Sequence, residues 1–291
     1  MRRVVFNHKG GVGKSTIACN LAAVSAAGGA RVLVVDLDPQ GNSTQYLLGK
    51  DGRELEPTLA GFFEQALGFP MRAKQPDEFV HRTRFERLDV LPSHPMLAEQ
   101  QGKLEARYKI FKLRAALNEL DTQYDFVYID TPPALNFFTR SALIATDCCL
   151  IPFDCDDFSR RALYGLLEDI AEIRTDHNGS LVVEGIVVNQ FLPRARLPQR
   201  IVQGLIDAGL PVLQPYLSCS VKVRESHERA KPLIYLTPKH KLTQQYVALH
   251  TGLEERRQVE SRKRASSVIE IGRRIRSSPL YDGPGSAPQA H

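Results

Sequence analysis

The sequence predicts an α/β protein whose sheet is mostly parallel and doubly wound, with helices on both faces. Three observations lead there. Nearly unbroken apolar runs recur at RRVVF (2–6), RVLVVDLD (31–38), FVYID (126–130), CCLIPF (148–153) and VEGIVVN (183–189). Strands covered on both faces read in this continuous way, whereas half-exposed strands alternate. Stretches with helical spacing lie between the runs, as strand–helix–strand units require. The runs also end in or beside polar residues, and ligands of such sheets bind beyond the carboxyl ends of the strands. A glycine-rich loop, Asp38, Asp130 and Asn189 all fall at those ends.

In chain order, RRVVF is short, β-branched and leads straight into the glycines, so it reads as a buried strand. Ser15 to Ala27 then holds helix formers with Ile17, Leu21 and Val24 at helical spacing, and Gly28-Gly29 stops the helix. RVLVVDLD is the second strand, ending in acids. Pro39 and Gly41 make the segment after it a loop able to order around a phosphate. Leu104 to Leu120 and Ser159 to Ile173 read as helices.

From about residue 253 the character changes. Between Arg256 and Arg276, eight basic residues face only Glu260 and Glu270, an excess of six. The whole chain carries +5, so the rest is nearly neutral. SSPLYDGPGSAPQAH (277–291) is rich in Pro, Gly, Ser and Ala and is expected to be disordered. The organisation expected is one α/β domain over 1–252 and a basic, partly disordered tail over 253–291. No internal repeat is present.

Composition excludes several classes. With 291 residues, 43% of them hydrophobic, the chain can bury a large core without disulfides or metals. Cys19, Cys148, Cys149, Cys155 and Cys219 form neither a C-x-x-C pair nor a regular framework, and read as reduced thiols used as small apolar residues. The apolar run at MRRVVFNHKGG is too short for a signal peptide, and no stretch approaches a membrane span. A cytoplasmic location is expected.

The loop NHKGGVGKST (7–16) nearly fits the phosphate-binding pattern G-x-x-x-x-G-K-[ST], with His8 where that pattern opens on glycine and an extra lysine at Lys9. Glycines let backbone N–H groups converge on phosphate oxygens, and the following helix adds its dipole. Lys14 would reach the β- and γ-phosphates, and the Ser15 hydroxyl would complete Mg²⁺ coordination. Asp130, closing its strand before Thr131-Pro132-Pro133, would support that Mg²⁺ through water. Either Asp36 or Asp38 is suited to orient an attacking water or to bond a turn's amides, and spacing does not separate the two roles.

Lys9 to Thr16, Asp36-Leu37-Asp38-Pro39-Gln40-Gly41-Asn42 and Asp130-Thr131-Pro132-Pro133 together resemble the ParA/Soj/MinD family of P-loop ATPases with a deviant Walker A motif, over about residues 2 to 250. The resemblance implies ATP and Mg²⁺ as ligands, bound by Lys9, Gly10, Gly11, Val12, Gly13, Lys14, Ser15 and Thr16. It implies a homodimer sandwiching ATP, in which Lys9 contacts the other chain's nucleotide while Lys14 serves its own. Two lysines from two chains would neutralise the triphosphate, which makes dimerisation depend on ATP. The same resemblance gives Asp38 the attacking water, Asp130 the magnesium and Asn189 the adenine edge.

ParA-like members bind DNA without sequence preference. QFLPRARLPQR (190–200) and SVKVRESHERAKPL (220–233) match the family's positions for this, offering Arg194, Arg196, Arg200, Lys222, Arg224 and Arg229. Such groups bind phosphates and release counterions. One departure stands out: Ser218-Cys219 occupies the place of the family's Pro-Arg. The implied function is a slow, partner-stimulated ATPase that positions a cargo over the nucleoid with a ParB-like or other adaptor. The alternative is a MinD-like ATPase at a membrane or pole. Val268, Ile271 and Ile275 share a helical face beside Arg273, Arg274 and Arg276, but Gly272 interrupts it and no large aromatic anchors it, so a membrane partner is not expected.

Overall fold

The computed structural model describes residues 1–68, 72–155 and 159–276. The chain divides into a compact unit, Met1–His250, and a second unit from Thr251 onward. In the first, a seven-stranded sheet runs in the order β3-β4-β2-β5-β1-β6-β7, where β1 is Arg2–Val5, β2 Val32–Asp36, β3 His81–Arg82, β4 Leu88–Leu91, β5 Phe126–Asp130, β6 Cys148–Asp154 and β7 Val182–Asn189. Every neighbouring pair is parallel except β3 with β4, so the expected mostly parallel sheet is what forms. The five strands with nearly unbroken apolar runs are β1, β2, β5, β6 and β7; they are mostly buried, although β7 is an edge strand whose first residues are partly exposed. β3 and β4 have no such run: LDVL is only four residues long and HR has no apolar character, which is why neither is visible in the sequence.

The helices are α1 (Lys14–Ala27), α2 (Asn42–Leu48), α3 (Leu59–Leu67), α4 (Leu97–Ala106), α5 (Lys112–Glu119), α6 (Phe137–Ala145), α7 (Ser159–Asp176), α8 (Arg196–Asp207), α9 (Lys222–Glu228), α10 (Leu233–Leu236) and α11 (Lys241–Arg276). One face of the sheet is covered by α3 to α7 around Phe63, Phe137, Phe138 and Leu143. On the other, α1 packs with α2 and α10.

Two expectations are corrected. The single helix expected over Leu104–Leu120 is two helices, α4 and α5. The break is a Schellman turn: Lys109 N donates to Leu104 O and Tyr108 N to Glu105 O, with Tyr108 at φ 54 in the left-handed place usually given to glycine. No glycine announced it. In the tail, Gly272 does not interrupt a helix, because α11 is continuous to Arg276. One glycine costs a helix only about 1 kcal/mol, less than is needed to end it. The disorder expected for 277–291 lies outside the described residues.

Candidate functional site: a phosphate loop beside a basic face

The site begins where β1 ends. Gly11 and Gly13 take positive φ (78° and 93°), and Gly13, as the residue before α1, turns the chain from strand to helix. A Cβ at Gly13 would run into the Asn189 carboxamide, so this glycine is required on two counts. Gly10 and Gly11 have open space where a Cβ would stand, which leaves the outer rim of the loop uncovered. Lys14 is buried and donates from Nζ to Lys9 O at 2.9 Å. Burial lowers its pKa, while Asp130 and Asp38 pull the other way. A lysine held like this, with no ion pair among the described residues, is prepared for an anion.

Asp130 closes β5 directly beside Asp36 of β2. Its Oδ2 accepts from Ser43 Oγ at 2.7 Å, and Ser15 also bonds this carboxyl. Oδ1 is buried and has no hydrogen-bond partner among the described residues. Burial is the main cause that pushes this carboxyl's pKa up, to about 6. An orphaned carboxylate oxygen next to a serine hydroxyl is a hard-oxygen donor set that fits Mg²⁺. No cluster of three or more His, Cys, Asp or Glu stands ready to hold a metal among the described residues. A divalent cation here would therefore take most of its ligands from phosphate and water.

The geometry separates the two acids that spacing left equivalent. Asp36 is fully buried, and its Oδ2 accepts from both the N–H and the hydroxyl of Thr44 at 2.7 Å, so it anchors α2. Burial and the neighbouring Asp130 push its pKa well up. Asp38 lies beyond the strand end, where its carboxyl accepts from Gln40 N at 3.0 Å in a local turn. Of the two, Asp38 is the one on the loop.

Other partners were not legible. Lys9 Nζ bonds Asp154 at the end of β6 (2.5 Å), and His8 Nε2 meets Asp169 of α7 at 2.7 Å. Asp154 carried the same signal as Asp130 and Asn189, a polar residue closing an apolar run; Asp169 carried none. Asn189 Nδ2 donates to Val12 O at 2.8 Å, which braces the loop against β7.

Beyond β7 the start of the first basic segment is tied to the chain just ahead of the second. Phe191 pairs with Ser218 in an isolated parallel bridge, Phe191 N donating to Leu217 O at 2.9 Å. Arg194, Arg196 and Arg200 are exposed and form no ion pair among the described residues. In the second segment Arg224 and Arg229 are exposed, but Lys222 is paired with Glu225 at 2.7 Å. Ser218, at the departure from the family pattern, exchanges two hydrogen bonds with Gln245, and Cys219 is exposed. Among the described residues no helix is long and apolar enough to cross a membrane.

Comparison with known proteins agrees with this fold. Residues 3–183 match a family model described as an AAA domain. The chain is 33% identical over 262 residues to the chromosome partitioning protein ParA of Myxococcus xanthus, covering 89% of this chain and 90% of that one. The chain belongs to the ParA/Soj/MinD family of P-loop ATPases. The sporulation initiation inhibitor protein Soj of Bacillus subtilis is 29% identical, with 84% and 94% of the two chains covered. Among solved structures, a cobyrinic acid a,c-diamide synthase from Mycobacterium smegmatis, with bound ATP analogue and magnesium, superposes with a TM-score of 0.74 at 27% identity over 87% of this chain and 93% of that one. Family membership thus groups this chain with partitioning and positioning ATPases.

Proposed function

We propose that this chain is a ParA-type ATPase: it binds ATP with Mg²⁺, dimerises around the nucleotide, binds DNA without sequence preference and hydrolyses ATP slowly. The observation that carries the reading is the meeting of Lys14, Ser15 and the partnerless Oδ1 of Asp130 at one point. The backbone of Gly10 to Gly13, with Thr16 at the start of the helix, cradles the phosphates. Lys14 neutralises them, and Asn189, with Nδ2 spent on Val12, accepts from the adenine amino group through Oδ1. Mg²⁺, when bound, neutralises charge building on the phosphate oxygens. Ser15 and Asp130 hold it, and Asp38 orients the attacking water.

Lys9 is held by Asp154 within one chain, so the proposed dimer requires that pair to be exchanged for a phosphate of the second copy. Both side chains are partly exposed, 39% and 23%, and such pairs contribute only about 1 kcal/mol or less. The exchange is therefore inexpensive. The boundary near residue 252 separates the ATPase domain from a basic tail that adds to DNA attraction. The cycle would place a cargo over the nucleoid, with hydrolysis stimulated by a ParB-like or other adaptor.

The test is binding to random-sequence duplex DNA with ATP, with ADP and without nucleotide, across a salt series. ATP-dependent, salt-sensitive binding is expected. Equal or absent binding in all three states overturns the DNA reading, and retention on anionic liposomes with ATP would then favour the MinD-like alternative.

A further inference from the structure

Thr16 lies two residues beyond Lys14, at the start of α1. Its hydroxyl stands 3.0 Å from Nε2 of His227, on α9. The same imidazole lies flat on the ring of Tyr46, with centroids 4.0 Å apart and 10° between planes. Tyr46 is on α2, the helix whose Ser43 and Thr44 hold Asp130 and Asp36. The Tyr46 hydroxyl bonds Ser226, the neighbour of His227, at 2.9 Å, and takes a bond from Asn20 Nδ2 at 3.2 Å. Asn20 also donates to Thr16 O and accepts from Leu233 N, both at 2.9 Å. Thus the two elements flanking the phosphate site, α1 and α2, converge on Ser226-His227. The helix they grip begins with Lys222, carries Arg224 and leads directly into Arg229.

We infer that His227 is a positioning residue that couples the phosphate loop to the basic segment on α9, so that nucleotide state sets how that segment is presented to DNA. The inference rests on the proposed ATP-dependent DNA binding. A small shift of Thr16 or Tyr46 on phosphate binding acts on one ring that touches both, and the ring is rigidly part of α9. Burial lowers the His227 pKa, so the ring adds no cation of its own to the DNA face. Its contribution is geometric. By linkage, whatever factor ATP adds to DNA affinity, DNA adds to ATP affinity.

The experiment uses the full chain, a fluorescent random-sequence duplex, and the ratio of DNA affinity with ATP to that without nucleotide. His227→Phe keeps a flat ring over Tyr46 and removes the bond to Thr16. It is expected to lower the ratio at least about fivefold while leaving ATP affinity without DNA within about twofold. The reciprocal measurement, ATP affinity with and without DNA, should lose the same factor. His227→Gln keeps a hydrogen-bonding group and supplies the ratio if the phenylalanine variant melts below the assay temperature; it should retain more coupling than His227→Phe. A variant ratio equal to wild type overturns the coupling role alone. A loss of DNA affinity equal in all nucleotide states also overturns it, because that is what general damage to α9 produces. A wild-type ratio of one overturns the function reading, and the coupling role with it.

Discussion

The phosphate loop and the basic face lie on the same end of the sheet yet are built on different principles. In the loop nearly every polar side chain answers a particular atom: Lys14 to Lys9 O, Asn189 to Val12 O, Lys9 to Asp154, His8 to Asp169. On the face, Arg194, Arg196 and Arg200 stand in solvent with no ion pair among the described residues. The first region works by geometry, and one misplaced atom should disable it. The second works by number of charges, and should fail only in proportion to the charges removed.

The largest effect is expected from Lys14→Ala. The ammonium is buried where a phosphate would sit, so removing it deletes a charge-assisted interaction worth about 3 kcal/mol, or roughly 100-fold in ATP affinity. Isothermal titration with a non-hydrolysed ATP analogue and Mg²⁺ checks this; affinity within a few-fold of wild type would remove Lys14 from the site.

Asp130→Asn should split stability from function. Between 3.8 and about 6, the folded chain keeps a proton on Asp130 that the unfolded chain has released. Stability of the nucleotide-free protein therefore falls as pH rises through that window and stays lower at neutral pH. The asparagine cannot ionise, so the variant should be more stable than wild type at pH 7, by on the order of 1–3 kcal/mol, and flatter between pH 4 and 6. It should at the same time lose most of the Mg²⁺ dependence of ATP binding. Urea melts at several pH values decide it. A variant less stable at neutral pH would mean that Asp130 is held as an ion by interactions stronger than its desolvation.

How much of this was legible follows the same division. Five strands and the loop were readable because burial on both faces enforces continuous apolar runs and phosphate binding enforces glycine spacing. Asp36 and Asp38 were not separable, because their difference lies in Thr44, a residue eight positions from Asp36 that only the fold brings back. The turn at Tyr108 was hidden because a tyrosine occupies a glycine's conformation. The hydrogen bond between His227 and Thr16 spans 211 positions and leaves no local mark at all. Spacing encodes what one segment must do by itself; it is silent on which segments meet.

On the basic face, replacing Arg194, Arg196 and Arg200 together by alanine should flatten the plot of log affinity against log salt by about 0.9 for each phosphate no longer neutralised, roughly 2.7 in all, with ATP affinity unchanged. Fluorescence anisotropy at several salt concentrations with ATP gives the slope. An unchanged slope would move the DNA footprint away from α8.

The smallest effect is expected at Lys222, although it sits in the same segment as Arg224. Its ammonium already has a counter-charge in Glu225, which it must leave, or keep while repelling phosphate, whenever DNA approaches. Lys222→Ala should therefore change the salt slope by less than about half a unit, while Arg224→Ala, exposed beside it, should cost about 0.9. Glu225→Ala gives the opposite sign: freeing Lys222 should tighten DNA binding and steepen the slope. The Glu225 carboxyl is held below its ordinary pKa by Lys222, so the pair persists at neutral pH and the contrast should be visible there. If Lys222→Ala and Arg224→Ala prove equal, pairing within the chain does not set what each cation gives to DNA, and the face is a field of charge whose individual partners are irrelevant.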